Sequence, residues 1–452
     1  MKTLFQRGMR VVVPLITTLL FSCNKADLIL KAVEASGFTT MFATNGFDQF
    51  NALKTTIDGG YIAVGYCARK DSNNITGNEN SDMLLVKIAP SGEIEKQITL
   101  GGSGNDMLNT VVVGKNGHIY AGGSTESTDG NFQLTNALGS LDFILLEFDA
   151  SLNLQKLNRF GGSGFDEIKT STISDAGLLF VGGNTSSTDG SLSFLAKKGR
   201  KDVWVATISL SDLTVGNQAR YGGKGDQEIK CLISSNNYLY VGGYADGTGG
   251  EDIKTPTYGA FDAWIVQLNT NELTIKNQFL FGGDGYDEVN SMVLNRSGDL
   301  CVCGYTTSDK TNNIPSSSKG WKDAWLVKLN INTGLVVKNF VRLGGVRCEG
   351  FNSIALDDIG NICVLGETDS EDNDLSELTP HGKTDIWALK FNMDFKCLNK
   401  KRMGGTGYDC VNDAVVNKDG SIIIAGYTNS EDGDLKKLNE GESDAYIMKF
   451  VL

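Results

Sequence analysis

Residues 161–190 read GGSGFDEIKTSTISDAGLLFVGGNTSSTDG, and after a variable run residues 199–208 close the phrase with GRKDVWVATI. The same phrase is written along the whole chain. GGSGND begins at Gly101, GGKGDQ at Gly222, GGDGYD at Gly282, GGVRCE at Gly344 and GGTGYD at Gly404, with a worn start, NGFD, at Asn45. The seven starts are spaced by 56, 60, 61, 60, 62 and 60 residues. A fixed period of this size is the mark of a propeller, a solenoid or an array, built from a unit too small to bury its own apolar face.

Each copy divides into four short strands. The first follows the glycine-rich start, as in DEIKTSTI from Asp166, and stops at a two-residue turn such as Asn116-Gly117, Ser297-Gly298 or Asp419-Gly420. Such dipeptides between alternating apolar residues signal a hairpin. The second strand carries one glycine in every copy, at Gly65, Gly122, Gly182, Gly242, Gly304, Gly366 and Gly426, which predicts a bulge or a close backbone approach. A polar loop, commonly T-x-S-x-D-G, leads to a third strand such as DAWIVQL from Asp262, and a fourth such as NQFLFGG runs into the next copy. Four antiparallel strands repeated around a ring predict an all-β, seven-bladed propeller. The chain ends on a third strand but begins with a spare fourth-type strand at 38–44. That strand is expected to pair with 445–451 and close the ring, leaving no open edge.

Taken together, GGSG-x-D, G-x-(I/L/V)-(Y/F/C)-V-x-G and T-x-S-x-D resemble the bacterial seven-bladed β-propeller repeat family (SBBP type) over nearly all of 38–452. Copy 1 lacks the GG pair, copy 4 has Gln227 for the aspartate, and copy 6 has Val346-Arg347-Cys348-Glu349 in the second half of the motif. The resemblance implies a fold and an exported protein, but no reaction.

Residues 1–22 have a basic start (Lys2, Arg7, Arg10) and an apolar run from Val11 to Phe21, the build of an export signal rather than a membrane span. The run ends Leu20-Phe21-Ser22-Cys23, which resembles the bacterial lipoprotein cleavage box and makes Cys23 the lipidation candidate. The expected layout is therefore a signal at 1–22, a tether at 23–37 and the propeller at 38–452, at the outer membrane or cell surface. Because 38–44 should start on the face of the short turns, the tether is expected to leave from that face, reaching at most about 50 Å.

Composition supports an exported β protein with many turns: glycine counts 55 of 452 residues. Net charge is −13, and removing residues 1–22 takes three basic residues and no acids, so 38 − 54 leaves −16. A charge of that sign speaks for solubility and against nucleic acid as a partner. Cys301, Cys363 and Cys303 fall at apolar positions of the repeat and are expected in the core, while Cys348 and Cys410, in equivalent loops of neighbouring copies, could pair.

A residue present in every copy is most simply structural, whereas a site on a ring needs asymmetry. Asp82, Asp142, Asp202, Asp262, Asp323, Asp385 and Asp444 recur and are expected to accept N–H bonds from a neighbouring glycine-rich turn; one aspartate per blade is too few for calcium. The recurring Trp204, Trp264, Trp325, Trp387 and Tyr446 read as packing, and Asn109, Asn290, Asn352 and Asn412 as polar channel lining. His118 reads as a solvated turn residue. Asymmetry lies in the long loops. Copies 6 and 7 are acidic, at Asp369, Glu371, Asp372, Asp374 and Glu377, then Glu431, Asp432 and Asp434; His381 and Trp321 lie in loops of the same class. These long loops are the candidate partner-binding surface, for a protein or a glycan. No cofactor is expected, although the acidic runs leave room for an irregular calcium site. The function read from this pattern is non-catalytic binding or scaffolding. The competing class is a hydrolase or lyase using carboxylates at the channel mouth, distinguished by close carboxylates of raised pKa there or by a metal.

Overall fold

The computed structural model describes residues 31–34, 37–68, 80–133, 135–246, 249–250, 252–253, 257–309, 311, 314–436, 438 and 441–452. Cys23 and the signal lie outside them. Seven antiparallel sheets follow one another in chain order. Their first strands are Asp48–Thr55, Asp106–Val113, Asp166–Ile173, Gln227–Ser235, Asp287–Leu294, Glu349–Leu356 and Asp409–Val416, which head blades 1 to 7. These strands pack against one another around the ring and line a central channel. The third strands are continuous apolar runs, fully buried in Asp142–Phe148, because a middle strand is covered on both faces by neighbouring blades. Fourth strands such as Leu154–Phe160 lie on the rim and are polar and exposed at their start.

The core is seven apolar clusters, each shared by two adjacent blades. Trp204, Trp264, Trp325 and Trp387 are buried in them, as packing residues should be, and so are Cys301, Cys303 and Cys363. Cys348 and Cys410 are free thiols, so no disulfide joins their loops.

The ring closes as its strand count requires. Strand β2 (Gly37–Phe42) pairs antiparallel with the last strand, Asp444–Phe450, from Phe38 opposite Lys449 to Phe42 opposite Ala445. Phe38 and Phe42 enter the cluster between blades 7 and 1, and Met41 the one between blades 6 and 7. The Asp48 N–H donates to the Ser443 carbonyl (3.0 Å) across the seam. β2 starts on the short-turn face. A further strand, β1 (Lys31–Glu34), lies ahead of it within the stretch read as tether and pairs with it antiparallel, making this sheet five-stranded. The chain therefore enters β1 travelling from the long-loop side, and the start of β2 does not set where a tether leaves.

Every first strand carries a bulge after its third residue. The register skips Asn51, Asn109, Lys169, Lys230, Asn290, Asn352 and Asn412. Opposite each bulge stands the strand-two glycine: Gly65, Gly123, Gly183, Gly243, Gly304, Gly366 or Gly426. A Cβ there would strike the carbonyl oxygen of the second residue of the first strand. In blades 2 to 4 it is thus the second glycine of the pair, not Gly122, Gly182 or Gly242, that the bulge requires.

Candidate functional site

In blades 2, 3, 5, 6 and 7 the two repeat motifs form one hydrogen-bonded cradle. In blade 3 the five successive N–H groups of Gly161 to Phe165 donate to Ser191 Oγ (3.0 Å), Asp166 Oδ2 (2.7 Å), Asp189 Oδ1 (2.6 Å), Ser187 Oγ (2.8 Å) and Ser186 Oγ (2.9 Å). Thr185 Oγ1 and Ser187 Oγ donate in turn to the two oxygens of Asp166 (2.5 and 2.8 Å). T-x-S-x-D is thus the acceptor set for GGxGxD, a nest of backbone donors filled by the protein's own side chains. Burial pushes the carboxyls of Asp106, Asp166, Asp287, Asp409 and Glu349 up despite those donors.

This geometry accounts for most of the acidic loop residues. In blade 6 the turn N–H groups of Gly344, Val346 and Cys348 donate to Asp374 (2.9 Å), Asp372 (2.9 Å) and Asp369 (2.6 Å). In blade 7 those of Gly404 and Thr406 donate to Asp434 (3.2 Å) and Asp432 (2.8 Å). Asp374 also pairs with Lys319, and Glu377 with Lys400 (2.8 Å). Glu371 and Glu431 are exposed. His381 is exposed too, and its backbone N–H donates to Asp385 (3.0 Å). The Trp321 N–H bonds Arg347 O (3.0 Å), and its indole is 78% exposed.

The recurring strand-three aspartate has a different partner from the one expected. Asp142, Asp202, Asp323 and Asp385 accept from a backbone N–H of their own preceding loop and from a buried arginine two residues before the next GG pair. The arginines are Arg159, Arg220, Arg342 and Arg402, with Nε–O distances of 2.5–2.7 Å. Each guanidinium also donates to a carbonyl of the T-x-S loop: Ser127, Ser187, Ser308 or Ser370. The glycine-turn role belongs instead to the strand-one acid. The first glycine of the turn packs against the strand-three carboxylate, and a Cβ at Gly282 would collide with Asp262. The arginines occur in four blades of seven, and that partial recurrence was the available sequence signal.

Two asymmetric surfaces remain. At the long-loop end of the channel the residue before each first strand is often aromatic. Phe165, Tyr286 and Tyr408 are 36, 49 and 44% exposed, and Phe47 stacks on Tyr66 (ring centroids 6.0 Å apart). Tyr244, Phe261 and Tyr286 continue the rim at centroid spacings of 4.6 and 5.2 Å. Lys201, Lys322 and Lys383 lie over Phe165, Tyr305 and Tyr408 at 6.0, 4.9 and 4.9 Å. Burial opposes the charge of Glu228 at this rim, yet Lys230 and Lys201 hold its carboxyl below the ordinary range. The described carboxylates that burial raises are cradle acids or lie beside a cradle, as Asp262 does. Among the described residues no three His, Cys, Asp or Glu side chains converge as a metal site requires.

The second surface is a polar cavity of about 500 Å³ inside the channel, lined by the fourth to eighth residues of the first strands and by none of the first three. It occupies the half of the channel nearest the short turns. The expected Asn109, Asn290, Asn352 and Asn412 line it, joined by Asn51, Lys169 and Lys230. His118 is not simply solvated: its Nδ1 lies 2.7 Å from the buried Glu147, which also pairs with Lys156 (2.5 Å).

Cradle, blade and ring together define a seven-bladed, all-β propeller. No family model matches the chain. Among curated proteins it is similar to the regulatory protein FlaEY of Caulobacter vibrioides, at 23% identity over 329 residues, 54% of this chain and 34% of that protein. The chain thus spans about a third of that relative's length. Among solved structures, a chain of Kuenenia stuttgartiensis hydrazine synthase superposes with a TM-score of 0.50 at 10% identity, covering 84% of this chain and 94% of that one. The WD40 propeller domain of Doa1 superposes with a TM-score of 0.46 at 11% identity over 90% and 94%.

Proposed function

We propose that the protein is a non-catalytic binding or scaffolding propeller of the cell envelope, anchored by lipid at Cys23, whose long-loop face takes a protein or glycan. The anchoring rests on the sequence around Cys23. The binding face rests on one observation: Phe165, Tyr286, Tyr408 and Trp321 stand exposed on that face, although the seven cores are closed without them. Exposed aromatic clusters mark binding surfaces, where a rigid ring gains contact area at little entropic cost. Trp321, Glu371 and His381 remain the loop residues best placed to extend the contact, since Asp369, Asp372, Asp374, Asp432 and Asp434 bond the turns beneath them.

The test is site-specific photo-crosslinking in a bacterial host, from position 286 on the long-loop face and from Ile359, exposed on the opposite face. A discrete adduct from 286 and none from 359, together with lipid labelling that Cys23→Ala abolishes, is the expected result. Adducts only from 359, or labelling unchanged in Cys23→Ala, would overturn it.

A further inference from the structure

Successive side chains of a strand point to opposite sides. In blades 3 and 5 the acid that opens the first strand, Asp166 or Asp287, turns into the cradle, where the Ser187 and Ser308 hydroxyls donate to it (2.8 Å each). The residues before and after that acid therefore share the other side, at the channel mouth. There blade 3 carries Phe165 and Glu167, and blade 5 carries Tyr286 and Glu288. Blade 1 has Phe47 and Gln49 at these positions, again an aromatic ring beside a hydrogen-bonding side chain. Blades 2, 6 and 7 break the pair, with Met107, Gly350 and Cys410 at the second position. The arc from blade 3 to blade 5 is also balanced in charge. Glu167 pairs with Lys169 (3.1 Å), Glu228 with Lys201 and more loosely with Lys230 (3.5 Å), and Glu288 lies 3.7 Å from Lys230. Three carboxylates meet three ammoniums.

We infer that Tyr286 and Glu288 form the centre of a binding site for the end of a neutral glycan. The inference rests on the long-loop face being the binding face, and it names the class of ligand. Tyr286 is half-exposed, its ring tilted against Phe261 at a centroid distance of 5.2 Å. Lysines lie over Phe165 and Tyr408, but among the described residues none lies over Tyr286. The negative face of an aromatic ring attracts the C–H groups of a sugar ring. Glu288 accepts from the Tyr305 hydroxyl; burial, and then the charge of Glu288, push that phenol up and keep it a donor. A carboxylate has about four lone-pair sites, so Glu288 retains acceptor capacity for sugar hydroxyls, in bonds that its charge strengthens. The side chains of Glu167, Glu228 and Glu288 are only 11, 17 and 13% exposed, which sets these acceptors below the rim. A flat protein surface does not reach them, whereas the end of a sugar chain does. The balance of charge likewise suits a neutral ligand better than an acidic or basic one.

The test probes an array of neutral, sialylated and sulfated oligosaccharides with the labelled full chain, and follows the strongest neutral hit by calorimetry. Wild type should bind neutral glycans with an affinity that rising salt leaves unchanged. Tyr286→Ala and Glu288→Ala, each shown to be folded by a melting curve, should weaken that binding roughly tenfold or more. Tyr286→Phe keeps the ring and should retain binding; Ile359→Ala, on the opposite face, should change nothing. Because Tyr286 lies at the surface, its alanine variant keeps the test open even where Glu288→Ala does not fold. The inference is overturned if folded Tyr286→Ala binds the neutral hit as wild type does, if only charged glycans bind, or if no glycan binds. In that last case a protein adduct from position 286 would leave the binding face standing, and no adduct would remove both.

Discussion

Blades 4 and 5 are neighbours with the same third-strand opening, Asp-Ala-Trp, and they treat its aspartate in opposite ways. In blade 5, Asp323 accepts from Arg342 Nε (2.7 Å), and the same guanidinium donates to Ser308 O (2.7 Å) and Ser316 O (3.1 Å). In blade 4, Leu280 stands opposite Trp264, as Arg342 stands opposite Trp325. Asp262 is as buried as Asp323 but has no guanidinium beside it, and burial pushes its carboxyl up to about 6. A charged group out of water needs either a counter-ion or its proton. The two blades show one solution each.

The sharpest break of the comparison is Arg342→Leu, which copies blade 4 into blade 5. It strands Asp323 as an unpaired buried charge and frees two loop carbonyls. A loss of about 3–5 kcal/mol is expected in urea denaturation. A loss below about 1 kcal/mol would mean that the arginines are accessory to the fold.

The second break is pH. Asp262 has a folded pKa raised above its unfolded value near 3.8. Its contribution is therefore fully present below about pH 3.8 and is lost as pH rises through about 6. Asp262→Asn removes this dependence. Relative to wild type, the variant should gain stability between pH 4 and pH 7, on the order of 2 kcal/mol at most. Other buried carboxylates titrate in both proteins, so the difference between the two melting profiles is the quantity to follow. A difference that stays flat with pH would remove Asp262 as its source.

Blade 4 departs from the others in its cradle as well. Gln227 replaces the strand-one acid, its Oε1 accepting from the Gly223 N–H (3.0 Å) and its Nε2 donating to Asp246 O (2.8 Å). The threonine that donates to that acid in blade 3 is Ala245 in blade 4. A carboxylate needs hydroxyl donors on its second oxygen, whereas an amide brings its own, so the two changes belong together. Copying both into blade 3, as Asp166→Gln with Thr185→Ala, should cost less than the sum of the single changes, with a coupling of about 1 kcal/mol in a double-mutant cycle. Additive costs would show that they are independent.

The seven-fold period, the short turns and the spare N-terminal strand were enough to read blade, ring and closure from the sequence. Each is a local pattern repeated in register, and strand pairing follows from it. The cradle was harder to see. Apart from Gly162 with Asp166, its donors and acceptors lie 19 to 30 residues apart, as Thr185 with Asp166 and Gly161 with Ser191 do, and only the hairpin brings them together. Asp372 and Asp432 therefore read as a free acidic surface although they bond turn amides. The arginine was hidden by its absence from three blades. β1 was hidden by its brevity, and the cavity by the fact that a channel has no sequence of its own.

The finest test is Leu280→Arg, which gives blade 4 the partner it lacks. Leu280 is buried against the cluster between blades 3 and 4, so the arginine loses apolar contact as it gains Asp262. In the other blades the guanidinium is also anchored by a serine carbonyl two residues after the strand-two threonine. The matching residue of blade 4 is 247, outside the described residues, and no serine stands there. Exchange of a hydrophobic side chain for a buried ion pair is close to even in free energy, so the change in stability at pH 7 should stay within about 1 kcal/mol of zero. The pH profile should change all the same. With a guanidinium beside it, Asp262 ionises more easily, and the loss of stability on going from pH 4 to pH 7 should shrink toward that of Asp262→Asn. If Leu280→Arg keeps the wild-type slope while remaining folded, the arginine is not what separates blade 5 from blade 4. The raised carboxyl would then be a consequence of the degenerate cradle around Gln227.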